Sequence, residues 1–157
     1  MKYGKYNICT KFGFSKFYSL LFGIISAIAG KFLAPKGSDD FWGNIWIYTG
    51  SASLIVAYFL SKYFIEKKQN FSNKRLIFVA MNVGLLSHWL FWYEAIVVNY
   101  IKWKFSGLPS LVPPFDPMTG IVGAFLNSFF SLLYFGWIAL PVSVVMIFIS
   151  KYLCLKK

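Results

Sequence analysis

Of 157 residues, five are acidic and one is histidine, so the groups that could do chemistry are few. Glu94 stands inside a long apolar run, where a carboxylate is costly and usually faces a bundle interior or an aqueous cavity. The chemistry open to it is proton or cation transfer, direct ligand binding, or, as a neutral carboxyl, a hydrogen bond between helices. Seven residues separate Ser87 from Glu94, which places them on nearly one helical face, while His88 and Asn99 share another. Ser26, Thr49, Ser51, Asn127 and Ser128 stand at matching depth in the other apolar runs. This predicts a polar layer in which Glu94 bonds to Asn127 or Ser128. Ser87-His88 beside Glu94 has the residue types of a nucleophilic triad, but adjacent helical residues diverge by about 100° and cannot form the required chain of hydrogen bonds. His88 reads as a neutral imidazole bonded to another helix, and Asn82, Asn99 and Asn127 as links between helices. A single histidine cannot build a multi-histidine metal site. With no HExxH, no GxSxG and no glycine-rich phosphate loop, the expectation is a non-enzymatic protein that needs no metal and no cofactor.

The elements that position these groups follow from composition. Hydrophobic residues make up 58% of the chain and charged ones 13%, with a mean hydropathy of +0.60; a soluble domain has about 25% charged residues. Too little polar side chain remains to cover a water-facing surface, which predicts an all-α polytopic membrane protein forming one bundle over residues 1–157. Apolar stretches bounded by charge or proline give four spans, approximately 17–33, 43–64, 76–101 and 121–150. The second opens on Trp42, Trp46 and Tyr48, an interfacial aromatic belt. The fourth would be about 45 Å long if wholly helical, against a bilayer core of about 30 Å, so it must tilt, emerge or bend at Pro141.

Charge sets the expected orientation. Lys2, Lys5, Lys11 and Lys16, then Lys62, Lys67, Lys68, Lys74 and Arg75, then Lys151, Lys156 and Lys157 fall on one side of four spans. The other side receives Lys31, Lys36, Lys102 and Lys104 with Asp39, Asp40 and Asp116. The positive-inside rule makes both termini cytoplasmic. The net charge of +11 is therefore read as helix orientation and contact with anionic lipid, not as nucleic-acid binding. A second reading of the first run is a cleavable leader, since a basic start and Ala27-Ile28-Ala29 precede Gly30. Ser19, Gly23 and Ala27, at every fourth position, argue instead for a helix packed closely on a neighbour. Cys9 and Cys154, near opposite ends with no CxxC, suggest neither a disulfide framework nor thiol redox chemistry.

The connection from Lys102 to Gly120 carries Pro109, Pro113, Pro114 and Pro117 among Leu108, Leu111, Val112 and Phe115. Proline stiffness predicts a semi-rigid apolar hairpin on the outer face, and Pro109, Pro113, Pro114, Phe115 and Asp116 are its candidates for recognising a partner. The third span, this connection from Tyr100 to Gly120, and a last span ending Leu140-Pro141-Val142 through Phe148-Ile149-Ser150-Lys151-Tyr152 before a basic tail resemble the inner-membrane immunity proteins of A-type pore-forming colicins. The resemblance covers the C-terminal half. It implies four spans with cytoplasmic termini, and protection of a producing bacterial cell by binding inserted toxin helices within the bilayer. Two other roles fit the residues: a small transporter or channel subunit with its polar layer around Glu94, and an accessory subunit of a larger membrane complex.

Overall fold

Long apolar runs with few breakers favour helices, which satisfy their backbone groups within the segment, and the chain folds accordingly. The structure, a computed structural model, describes residues 13–33, 42–106 and 114–155. Helix α1 is Phe14–Leu33 and α2 is Ile45–Ser61, entered through a 3₁₀ turn at Trp42–Asn44 and continued by a π-helical turn at Lys62–Glu66. Helices α3, Asn73–Ser106, and α4, Pro117–Leu155, are the long ones. No strand occurs among the described residues. Gly13, at φ 76°, turns the chain into α1, and Gln69, at φ 46°, turns it between α2 and α3. Pro141 lies inside α4 without ending it.

All four expected runs are helical. Helices α3 and α4 are each long and apolar enough to cross a membrane; at 34 and 39 residues they extend about 51 and 58 Å. The helical part of the expected outer connection is a difference from the sequence reading, because α3 runs on through Lys102, Trp103 and Lys104 to Ser106. Pro109 and Pro113 lie outside the described residues.

Consecutive helices pack antiparallel, α1 on α2, α2 on α3 and α3 on α4, with α4 returning to α1. Small residues set the first contact. A Cβ on Gly50 would stand 2.9 Å from the Ala27 Cβ, and one on Gly23 would stand 2.9 Å from the Leu54 Cβ, so these glycines let the two backbones approach as the spacing in α1 predicts. The α4 side facing the bundle is also small: Gly120, Ala124, Ser128, Gly136, Ser143 and Ser150 are buried along it. Many of its large side chains point away, including Phe125, Phe129, Phe130, Leu133 and Trp137, while Ile147 points inward. Apart from the Tyr18 hydroxyl, the buried polar side chains among the described residues are serines. Small and weakly polar residues toward the bundle with large apolar ones outward, as along most of α4, is the pattern of helices packed closely in lipid.

The main core lies at one end, where Phe14, Tyr18, Phe22, Ile65, Leu76, Val79, Val83 and Ile147 pack together; a smaller cluster of Ile45, Ala52 and Phe91 occupies the other half. Antiparallel packing brings the start of α1, the end of α2, the start of α3 and the end of α4 to the first end. Lys16, Lys62, Lys67, Lys68, Lys74, Arg75 and Lys151 therefore share it, while Lys31, Lys102 and Lys104 lie at the other. Cys154, buried in the same core, is disulfide-bonded, which corrects the expectation of no disulfide. Chain distance is a poor guide here, because the bundle returns the last turn of α4 to the first turn of α1. Cys9 lies outside the described residues.

Candidate functional site

The third helix carries both titratable groups that sequence singles out, and it directs them to different neighbours. Glu94 Oε2 lies 2.6 Å from the Ser51 hydroxyl of α2. Ser51 is a correction to the expected partners: Asn127 is exposed on α4, and Ser128 is buried with no hydrogen bond to its hydroxyl. The cause is rotation, since the face of α3 that presents Glu94 turns toward α2 and not toward α4. Ser51 Oγ is also 2.8 Å from the Ile47 carbonyl oxygen. A serine hydroxyl has one proton. That proton is donated to Glu94 Oε2, with the Ile47 carbonyl oxygen as the alternative acceptor within the same helix. Tyr48, one turn before Ser51, packs with Leu90 and Trp92 against the small core of this half and closes the interface around the pair.

His88 and Trp92, one turn apart on α3, straddle Ser131 of α4. His88 Nδ1 is 3.1 Å from Ser131 Oγ and Trp92 Nε1 donates to the same oxygen at 3.2 Å. Ser131 Oγ is 3.1 Å from the Ser128 carbonyl oxygen. With the proton on Nδ1, His88 and Trp92 both donate to Ser131, which donates to Ser128, and no contact lacks a proton. The expected bond from His88 to another helix is present. Ser131 escaped the sequence reading, although the His88 and Trp92 spacing of four residues was a signal that one acceptor faces both. Ser87 is buried with no partner for its hydroxyl, and the triad of Ser87, His88 and Glu94 is not formed.

Glu94 and His88 are separated by about 120° around α3 and about 9 Å along it. The structure thus holds two separate polar links, one joining α2 to α3 and one joining α3 to α4, in place of a continuous layer. Other links are made by side chains on backbone oxygens: Thr49 Oγ1 lies 3.1 Å from the Ser26 carbonyl oxygen and Ser143 donates to Ala80 at 2.9 Å. The asparagines do not serve this purpose. Asn82 donates to Phe78 of its own helix, and Asn99 and Asn127 are exposed. No cluster of three or more histidine, cysteine or acidic side chains suited to a metal occurs among the described residues.

At the start of α4, Asp116 Oδ1 accepts the Met118 and Thr119 backbone N–H groups at 2.9 and 3.2 Å, and Oδ2 accepts the Thr119 hydroxyl at 2.6 Å. The Thr119 hydroxyl, followed by the two backbone donors, holds this carboxyl below the usual aspartate range. Asp116 with Pro117 next is the preferred opening of a helix, a cap followed by proline in the first turn. That local signal was available in the sequence, where Asp116 is instead a recognition candidate. Of the other candidates described, Pro114 is half-buried and Phe115 exposed.

The chain matches no family model, no curated protein and no solved structure.

Proposed function

We propose that this chain is a non-enzymatic protein of the bacterial cytoplasmic membrane that crosses it four times, keeps both termini inside, and protects its cell by binding an inserted segment of a pore-forming bacteriocin. One observation carries the reading. The most apolar stretch of α4 is only 17% buried, against 39% for α3, and its open face presents Asn127 among Leu126, Phe130, Leu133 and Tyr134. An amide facing lipid has no partner there, whereas a helix arriving in the bilayer offers it one. Large flat side chains around it supply the contact area. Separate polar links favour this role over conduction, which needs polar groups continuous across the span.

Grouping of the lysines at one end supports the orientation. A disulfide at Cys154 runs against it, since cytoplasmic disulfides are rare. Thiol labelling decides the matter in a background carrying Cys9→Ser and Cys154→Ser. Thiols introduced at Ser38 and Ser110 are expected to react with an impermeant reagent applied from outside, and one at Ser72 is not; strong labelling at Ser72 would overturn the orientation.

The functional test is survival of a sensitive Gram-negative host expressing the protein and challenged with a panel of pore-forming bacteriocins. Selective protection against one toxin is expected, reduced by Asn127→Leu at equal membrane levels and retained by Glu94→Gln. Absence of protection across a broad panel would remove the immunity role. Loss on Glu94→Gln with Asn127→Leu unaffected would point to ion transfer at Glu94.

A further inference from the structure

At the basic end of the bundle, the π-helical turn after α2 opens a cleft of about 590 Å³ lined by Phe59, Lys62, Tyr63, Glu66, Lys67 and Gln69. A π turn of this kind is often found where a helix meets a ligand. The cleft has a cationic head. Lys62 Nζ donates to the Tyr58 hydroxyl at 2.7 Å, and Lys67 Nζ stands 5.7 Å from the centre of the Tyr63 ring. Lys68 lies over Tyr63 and Phe64 at 5.8 and 5.9 Å. The aromatic groups thus hold the ammonium groups in place without neutralising them.

Glu66 is the one acid lining the cleft against two lysines, and it attracts Lys62 without pairing with it. Its Oε2 accepts the Ser15 backbone N–H at 2.9 Å, capping the first turn of α1. Neither lysine of the cleft forms an ion pair within 4 Å among the described residues. Positive charge therefore remains available beside Gln69, which can donate or accept a hydrogen bond. Below this head, Tyr63 of the π-helical turn and Phe59 and Ile55 of α2 are exposed at successive turns and form an apolar track leading away from the lysines. A cationic head joined to an apolar track is complementary to an amphipathic anion.

We infer that this cleft binds the phosphodiester headgroup of an anionic membrane lipid, with Lys62 and Lys67 on the phosphate and the acyl chain along Phe59 and Ile55. The inference rests on the membrane reading. Resistance of the full chain to alkaline carbonate extraction tests that reading separately, since a protein released by carbonate would fail it whatever the cleft binds.

The experiment is a titration of the full-length protein in mild detergent with dihexanoyl phosphatidylglycerol, dihexanoyl phosphatidylcholine and inorganic phosphate, followed by native mass spectrometry. Phosphatidylglycerol is expected to bind more tightly than the other two. Two lysines near a lipid surface predict that Lys62→Ala with Lys67→Ala weakens it roughly 30-fold. The paired Lys62→Arg and Lys67→Arg variant should retain the preference, and Lys102→Ala with Lys104→Ala, at the opposite end, should leave it unchanged. Phe59→Ser should weaken the lipid and not inorganic phosphate. Equal binding of the two lipids, an unchanged preference in the Lys62→Ala, Lys67→Ala protein, or phosphate binding as tight as the lipid would overturn the inference. The last result would assign the cleft to free phosphate.

Discussion

Tyr18→Ala is expected to lower the stability of the detergent-solubilised bundle by about 3–5 kcal/mol, the cost of an aromatic truncation in a packed core. Tyr18 is fully buried and stands between Phe14 and Phe22, its neighbours one turn away on α1, with ring centres 6.1 and 6.0 Å distant and planes within 20°. Phe71 meets Phe14 edge-on at 5.3 Å. The ladder is the contribution of α1 to the main core, so the cavity left by alanine would be lined on several sides by side chains that cannot close it. Tyr18→Phe separates packing from polarity. The Tyr18 hydroxyl is buried without a hydrogen-bond partner, and removing an unsatisfied group while keeping the ring should leave the protein at least as stable as the parent. Denaturation by sodium dodecyl sulfate of the three proteins provides the comparison. Unchanged stability in Tyr18→Ala would show that α1 is dispensable to the core, as a cleaved leader would be.

The second large effect is expected at Gly30, where α1 crosses the start of α2. A Cβ there would stand 2.8 Å from the Trp46 Cα and 3.3 Å from its nitrogen, with the Thr49 hydroxyl closer still. These are backbone atoms of a helix held along its length by Gly23 and Gly50, so they cannot step aside singly. Gly30→Leu must part the helices, at a cost of at least about 1–3 kcal/mol for overpacking, and it disrupts the contact between Thr49 and the Ser26 carbonyl. Gly136→Ala is the control. The three atoms nearest a Cβ at Gly136 all belong to the Leu132 side chain on the same helix, the first at 3.3 Å. Alanine there should be neutral or stabilise by up to about 1 kcal/mol through helix propensity. Thermal unfolding of both variants distinguishes a clash with a neighbouring helix backbone from a contact with a side chain of the same helix; equal midpoints would mean that α1 and α2 are not in close approach.

Much of the architecture was legible because it depends on composition over long windows. An apolar run bounded by Lys74-Arg75 and Lys102-Trp103-Lys104 has few alternatives to a helix, and α3 occupies it with a few residues more at each end. Ser19, Gly23 and Ala27 announced a close helix contact because small side chains at every fourth position lie on one face whatever the partner. The polar partners were less accessible. Glu94 meets Ser51 and not Asn127 because helix rotation decides which interface a side chain enters, and apolar helices with no clear polar face leave rotation undetermined in sequence.

Residue types, run lengths and charge by themselves determined that the chain forms long apolar helices, that its basic groups gather at alternate helix ends, and that Glu94 and His88 would each be held by polar groups of a neighbouring helix. Tertiary structure alone decided which groups those are, and it did so through contacts far apart in the chain. Glu66 caps α1 across 51 residues, Ser131 serves His88 across 43, and Lys151 reaches Asn73 across 78. The physical reason is that a hydrogen bond requires its atoms within about 3 Å, a condition set by the rotation and depth of two packed helices together and written in neither helix alone.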